Sequence, residues 1–69
     1  MRTETVFIVT SGNTEISFSH PDKKRVDMVY AMSQAAAPYG KRVAIIKMVR
    51  YMLDIGLKEA KYFVDDSWT

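Results

Sequence analysis

His20 is the only histidine of the chain, and it stands between Ser19 and Pro21. A lone imidazole acts as a metal ligand or general base only with partners, and the chain has no cysteine to join it. In that setting His20 reads as part of a helix start. Asp65 and Asp66 are the nearest approach to paired carboxylates. Adjacent acids at what reads as a frayed helix end are expected to be solvated rather than to hold a cation. Serine, histidine and aspartate are all present, but without the spacing of a triad. Gly12, Gly40 and Gly56 are scattered and build no phosphate loop. The missing cysteine excludes disulfides, thiolate metal sites, iron–sulfur clusters and cysteine nucleophiles, and it suits a cytoplasmic protein. The residue types therefore point to a protein that is not an enzyme and needs no cofactor.

The elements that carry these residues follow from patterning. The chain has 69 residues, of which 48% are apolar and 26% charged, and a formal net charge of +2. Such a length predicts a complete small protein with a single domain over residues 1–69. Its core must be thin, because a domain of this size buries only about 60% of its unfolded surface. No apolar run approaches the roughly 18 residues of a membrane span, and the N-terminus makes a poor signal peptide. "TVFIVT" (Thr5 to Thr10) is β-branched and aromatic, with Val6 and Ile8 on one face and Phe7 and Val9 on the other, so it reads as a strand. "SGNT" (Ser11 to Thr14) is a turn, and "EISFS" (Glu15 to Ser19) alternates as a half-buried second strand. Next comes a helix capped by Ser19, with Pro21 in its first turn and Asp22 completing a capping-box spacing. Its buried stripe is Val26, Val29, Tyr30, Ser33, Ala36 and Ala37. Pro38 and Gly40 break it. A second helix runs from about Lys41 to Leu53 and a third from Leu57 to about Asp65, with Gly56 in the turn between. The expected fold class is α+β, an N-terminal hairpin followed by three helices. A lone two-stranded sheet is marginal in water, so the hairpin is expected to be covered by the helices or extended by self-association into a dimer.

The second helix has more apolar positions than one buried stripe uses. Ile45, Met48, Val49 and Met52 follow helical spacing and form the expected core face. Val43, Ile46, Lys47 and Arg50 follow the same spacing on another face. Two apolar residues beside two cations have the character of a protein-docking strip. The bland alternative packs Val43 and Ile46 under the first helix or the hairpin. On the third helix Leu57, Ala60, Phe63 and Val64 point inward. Lys58, Glu59, Lys61 and Tyr62 stay outside, where a plain solvated face is the simplest account of any one of them.

"KRVAIIKMVRYMLDIGLKEAKYFVDD", Lys41 to Asp66, resembles the C-terminal domain of the bacterial large-subunit ribosomal stalk protein of the seven/twelve type. That family carries a run close to K-V-A-V-I-K-x-V-R, a glycine turn, and then G-L-K-E-A-K-x-L-V-E. The resemblance implies a compact α+β domain whose two matching helices dock a translational GTPase, such as an elongation factor, or another ribosome component. Carried over residue by residue, the partner-binding surface it implies is Val43, Ile46, Lys47, Arg50, Leu57, Glu59 and Lys61. It departs from the family at Asp54, which stands where the family has glycine. It departs also in the hairpin and helix that come before the matched region. The resemblance thus implies a free-standing relative of the stalk's factor-binding domain.

Two other readings remain open at this level. Lys23 to Arg25, Lys41, Arg42, Lys47, Arg50, Lys58 and Lys61 make a basic face that fits a small nucleic-acid-binding protein. Against it, Glu59 and four aspartates dilute the charge. An adaptor of proteolysis is the third reading, but no substrate-pocket motif supports it.

Overall fold

A computed structural model describes residues 3–69. The elements run β1 (Thr5–Ser11), β2 (Thr14–His20), α1 (Lys23–Ala36), a 3-10 turn (Ala37–Tyr39), α2 (Arg42–Leu53) and α3 (Leu57–Ser67). This is the α+β order expected from the sequence, with each strand slightly longer than its apolar run.

β1 and β2 form a two-stranded antiparallel sheet. The turn is Gly12–Asn13, and of the two only Gly12 has a positive φ, of 60°. A positive φ at the first central position alone is the type II′ pattern, whose twist suits a hairpin. The register pairs Phe7 with Phe18 and Val9 with Ile16, so these four share the inner face. The Phe7 and Phe18 rings stack with centroids 5.5 Å apart, and Phe63 meets Phe18 at 6.2 Å and Tyr30 edge-on at 5.4 Å. This aromatic chain joins hairpin, α3 and α1.

α3 packs on that face, and α1 and α2 pack against α3 and each other. The core takes Val9 and Phe18 from the hairpin, Val26 and Val29 from α1, Ile46, Val49 and Leu53 from α2, and Ala60, Phe63 and Val64 from α3. Among the described residues, no helix is long and apolar enough to cross a membrane.

Several expectations are corrected. The core stripe of α2 is Ile46, Val49 and Leu53, while Ile45, Met48 and Met52 are half-buried against its edge. The reason is that α2 packs on both α1 and α3. Two neighbours bury a broader arc than one stripe, and its centre lies at Val49. Leu57, expected inward, is 47% exposed because the buried arc of α3 is centred on Ala60, Phe63, Val64 and Ser67. Ser19 belongs to β2, and the cap of α1 is Asp22, whose Oδ1 accepts the Arg25 N–H at 3.0 Å. Gly56 lies in the turn between α2 and α3, as expected, but with a φ of −71° it is not the residue that reverses the chain. The left-handed residue is Asp54 (φ 52°, ψ 49°), which closes α2. Asp tolerates that region at a cost glycine avoids.

Asp65 and Asp66 are tertiary links rather than solvated acids, because α3 continues past them to Ser67. Asp65 accepts hydrogen bonds from the Ser11 hydroxyl at 2.6 Å and from Arg42 Nε at 3.0 Å. Asp66 accepts from the Thr10 N–H at 3.3 Å and from the Tyr30 hydroxyl at 3.0 Å. Burial alone would raise the Asp65 carboxyl pKa, but the Ser11 hydroxyl and the Arg42 guanidinium overcome it and hold the group below the usual carboxylate value. Burial, and then the hydrogen bond to Asp66, push the Tyr30 hydroxyl up from its ordinary value.

His20 fastens the hairpin to the end of α2. Its Nδ1 accepts the Asp22 N–H at 3.0 Å, so Nε2 carries the proton and donates to the Leu53 carbonyl at 3.1 Å. That carbonyl is one of the last in α2 and has no partner within the helix. His20 is thus the last residue of β2 rather than part of the helix start, although its ring accepts the N–H of Asp22, the cap of α1.

Candidate protein-docking face

Positions i, i+4, i+7 and i+11 of a helix share one side. On α2 that side carries Val43, Lys47 and Arg50, about a quarter turn round the helix from the buried stripe, and Asp54 closes the helix just beyond them. Val43 is 66% exposed, and Lys47 and Arg50 are exposed as well. Lys47 and Arg50 line one shallow cleft of about 290 Å³ together with Tyr51, Asp54 and Ile55. On α3, Leu57 and Lys61 lie one turn apart and are both exposed.

Ile46 is different. It is 4% exposed and lies in the core beside Val49, so its side chain supports the strip from beneath rather than forming part of its surface. Glu59 is half-buried and folds back over Gly56, where its carboxylate occupies the space a Cβ would take. It is the third residue of α3, the place from which a capping-box glutamate reaches back. The absence of a side chain at Gly56 leaves room for that carboxylate.

Ion pairing sharpens the contrast among the cations. Arg42 is held by Asp65, Lys23 by Asp27 and Arg25 by Asp22. Among the described residues, Lys24, Lys41, Lys47, Arg50, Lys58 and Lys61 make no ion pair, and of these Lys47, Arg50 and Lys61 lie on the exposed sides of α2 and α3. They remain available to an acidic partner, and Val43 and Leu57 provide apolar contact beside them.

Sequence reasoning missed Tyr51, which is 88% exposed and lines the Lys47–Arg50 cleft. Its signal was legible: an aromatic residue two positions past the centre of the buried stripe faces water, where tyrosine has use chiefly as a contact residue. No group of three histidine, cysteine, aspartate or glutamate side chains among the described residues is placed to hold a metal ion.

A small α+β domain whose terminal helical hairpin turns an apolar and cationic strip outward is, by class, a binding module. The family model of the ribosomal protein L7/L12 C-terminal domain matches residues 32–68, just over half of the chain. The chain belongs to that family. The match takes in the end of α1 and all of α2 and α3, and leaves the hairpin and most of α1 outside it. No curated protein matches the chain, and neither does any solved structure.

Proposed function

We propose that the protein is a non-catalytic interaction module that binds a translational GTPase, or a ribosome component, through the exposed sides of α2 and α3. Val43, Lys47, Arg50, Leu57 and Lys61 make the contact surface, and Glu59 shapes the start of α3. Membership in the stalk-domain family supports a factor-binding role in the cytoplasmic translation machinery. The observation that carries the reading is the split of α2. Its core needs are met by Ile46, Val49 and Leu53, yet Val43 stays 66% exposed next to Lys47 and Arg50, which make no ion pair among the described residues.

The test is an NMR titration of the labelled protein with a purified translational GTPase, with wild type and the double variant Lys47→Glu/Arg50→Glu in parallel. Surface charges contribute little to folding, about 0–1 kcal/mol per pair, so the variant should keep its spectrum and melting point. Binding should weaken at least tenfold, roughly, because like charges now face an acidic partner. Unchanged affinity overturns the assignment of the face. A variant that still binds the GTPase but loses affinity for a mixed-sequence RNA or DNA makes the basic nucleic-acid surface the correct reading.

A further inference from the structure

A groove runs between β1 and α1. α1 packs on α2 and α3 and makes little contact with β1, so the space between them stays open. Its walls are apolar, with Phe7 and Val9 from β1, Val26 and Tyr30 from α1 and Phe63 from α3, and its volume is about 230 Å³. Pockets that enclose a whole small molecule begin at about 300 Å³, so this one suits a single long side chain. Ile8 lies along its lip. The register sets the backbone there. A two-residue loop makes Ser11 and Thr14 a hydrogen-bonded pair. Pairs alternate from that point, so Val9 and Phe7 bond to β2, and the N–H and C=O groups of Ile8 and Val6 face away from it. Those outward groups have no backbone partner among the described residues. Thr10 faces outward too, and its N–H is taken by Asp66 Oδ1 at 3.3 Å.

Charge decides what this groove accepts. Asp27 and Asp66 both line it. Asp66 is half-buried, and its partners, the Thr10 N–H and the Tyr30 hydroxyl, are neutral. No cation pairs with it among the described residues. Asp27 pairs with Lys23 at 2.9 Å, but both side chains are more than half exposed. Water screens such a contact, and a competing guanidinium replaces it at little cost. Glu4 continues the line of the edge just before β1. The rings of Phe7, Tyr30 and Phe63 in the walls add to the attraction for a cation. β1 itself carries no charge from Thr5 to Ser11, so another β1 brings nothing for these acids to hold.

We propose that β1 receives an extended segment of a partner protein, antiparallel, in which an arginine or lysine stands between two apolar residues. The two apolar residues lie opposite Ile8 and Val6, and each exchanges a pair of backbone hydrogen bonds with its counterpart. Their side chains fall on the outer face of the sheet, beside Val6 and Ile8, which are 62% and 63% exposed. The cation lies opposite Phe7, so its side chain projects on the inner face, into the groove between Asp27 and Asp66. The antiparallel direction is the more stable of the two. Asp66 closes the Thr10 position, which ends the pairing at Ile8. Backbone pairing supplies the affinity and the acidic groove the selectivity, the division seen in strand addition generally. The residues of the α2 strip play no part, and their charge calls for a partner of the opposite sign.

The test is an amide-shift NMR titration of the labelled protein with the peptide acetyl-Thr-Val-Arg-Val-Thr-amide, up to about 2 mM. Shifts should centre on Val6, Ile8 and Tyr30, with a Kd of about 1 mM or tighter. Glutamate in place of the peptide's arginine should weaken binding by roughly tenfold or more. N-methylation of both valine nitrogens should abolish binding, because those N–H groups pair with the carbonyls of Ile8 and Val6. N-methylation of the arginine nitrogen should leave binding intact, because that N–H points away from β1. Asp27→Asn, at an exposed position, should keep the wild-type melting point and bind roughly threefold more weakly. Lys47→Glu/Arg50→Glu should bind the peptide as the wild type does. No shift at Val6 and Ile8 over the whole range overturns the proposal. So does a glutamate peptide that binds equally well, or an Asp27→Asn variant of unchanged affinity. A valine-methylated peptide that binds normally, or free arginine amide that binds as tightly as the peptide, overturns strand addition and leaves only a site for small cations.

Discussion

Ile46→Ala and Val43→Ala, three positions apart on α2, should have opposite consequences. The Ile46 substitution removes three carbons from a side chain that is 4% exposed. At about 0.8 kcal/mol for each buried methylene the transfer loss is about 2.4 kcal/mol. A residual cavity between α2, α1 and α3 adds to it, so about 2.5–4 kcal/mol is expected, within the range of buried isoleucine truncations. A domain of 69 residues has only about 3–10 kcal/mol in total, on the usual scale per residue. The variant should therefore be largely or partly unfolded at body temperature. Val43 is 66% exposed, and its truncation should change stability by no more than about 0.5 kcal/mol. Urea unfolding followed by helical circular dichroism separates the two. With a slope near 1 kcal/mol per molar urea, Ile46→Ala should lower the midpoint by about 2.5–4 M and Val43→Ala should leave it in place. For partner binding the order reverses, because Val43→Ala should weaken binding in a protein that is fully folded. Equal midpoints for the two variants, or a larger loss from Val43→Ala, would show that the core stripe of α2 has been placed on the wrong side.

Four further outcomes follow from individual contacts. Asp54→Gly should raise stability by about 0.5–1 kcal/mol, since glycine adopts the left-handed conformation without the Cβ penalty; a lower melting point would mean the Asp54 side chain holds the turn. The Asp65 carboxyl is depressed in the folded state, so its contribution is present above the unfolded pKa near 4 and is lost as pH falls through the folded value; Asp65→Asn should flatten the acid limb of a stability–pH curve below about pH 4. Tyr30 is raised, so its contribution is present below pH 10, roughly, and is lost as pH climbs through the folded value; Tyr30→Phe should flatten the alkaline limb in the same assay. Ser67 gives its single hydrogen to the Val64 carbonyl at 2.8 Å, so Ser33 must be the donor in the buried 2.6 Å bond between the two hydroxyls. Ser67→Ala strands that donor and should cost about 1–3 kcal/mol, more than Ser33→Ala, as read by thermal melting.

Where the sequence was legible, a local rule sufficed. Strict alternation in "EISFS", β-branching in "TVFIVT" and the breakers Pro38 and Gly40 placed every element to within a few residues. Patterns with two competing readings were not settled by local rules. The arc "VAIIKMV" contains two helical stripes of similar apolarity, and the number of neighbours α2 has decides which is buried. That number is a tertiary fact. Asp65 and Asp66 looked solvated because the chain seemed to fray there, and their partners Ser11, Thr10, Tyr30 and Arg42 lie between 23 and 56 residues away in sequence. Gly56 drew attention as the turn residue because glycine is the usual one. The positive φ belongs to Asp54, whose short side chain makes that conformation tolerable. On the candidate face, Val43, Lys47 and Arg50 were legible as a strip, whereas Ile46 was indistinguishable from Val43 until its depth was known.

The hairpin and α1, which lie mostly outside the family match, explain how the α2–α3 pair is held as a folded unit. Two helices of 12 and 11 residues are too short to be stable alone, because helices under about 12–15 residues are marginal in water without tertiary packing. Here Phe18 and Val9 pack beneath Phe63, Val26 and Val29 join the same core, and Tyr30 adds an edge-on ring to Phe63. Polar fastenings then sit at the ends of the helices. Arg42 and Asp65 tie the start of α2 to the end of α3, with Ser11 reaching across from the hairpin. His20 holds the last turn of α2 through the Leu53 carbonyl. Trp68 Nε1 donates to the Ser33 carbonyl at 2.7 Å and anchors the chain beyond α3 to α1. Each fastening lies on the buried side or at a terminus, and none uses Val43, Lys47, Arg50 or Lys61. The scaffold thereby fixes the spacing of these side chains while leaving them free for contact, which is the division of labour a rigid docking face requires.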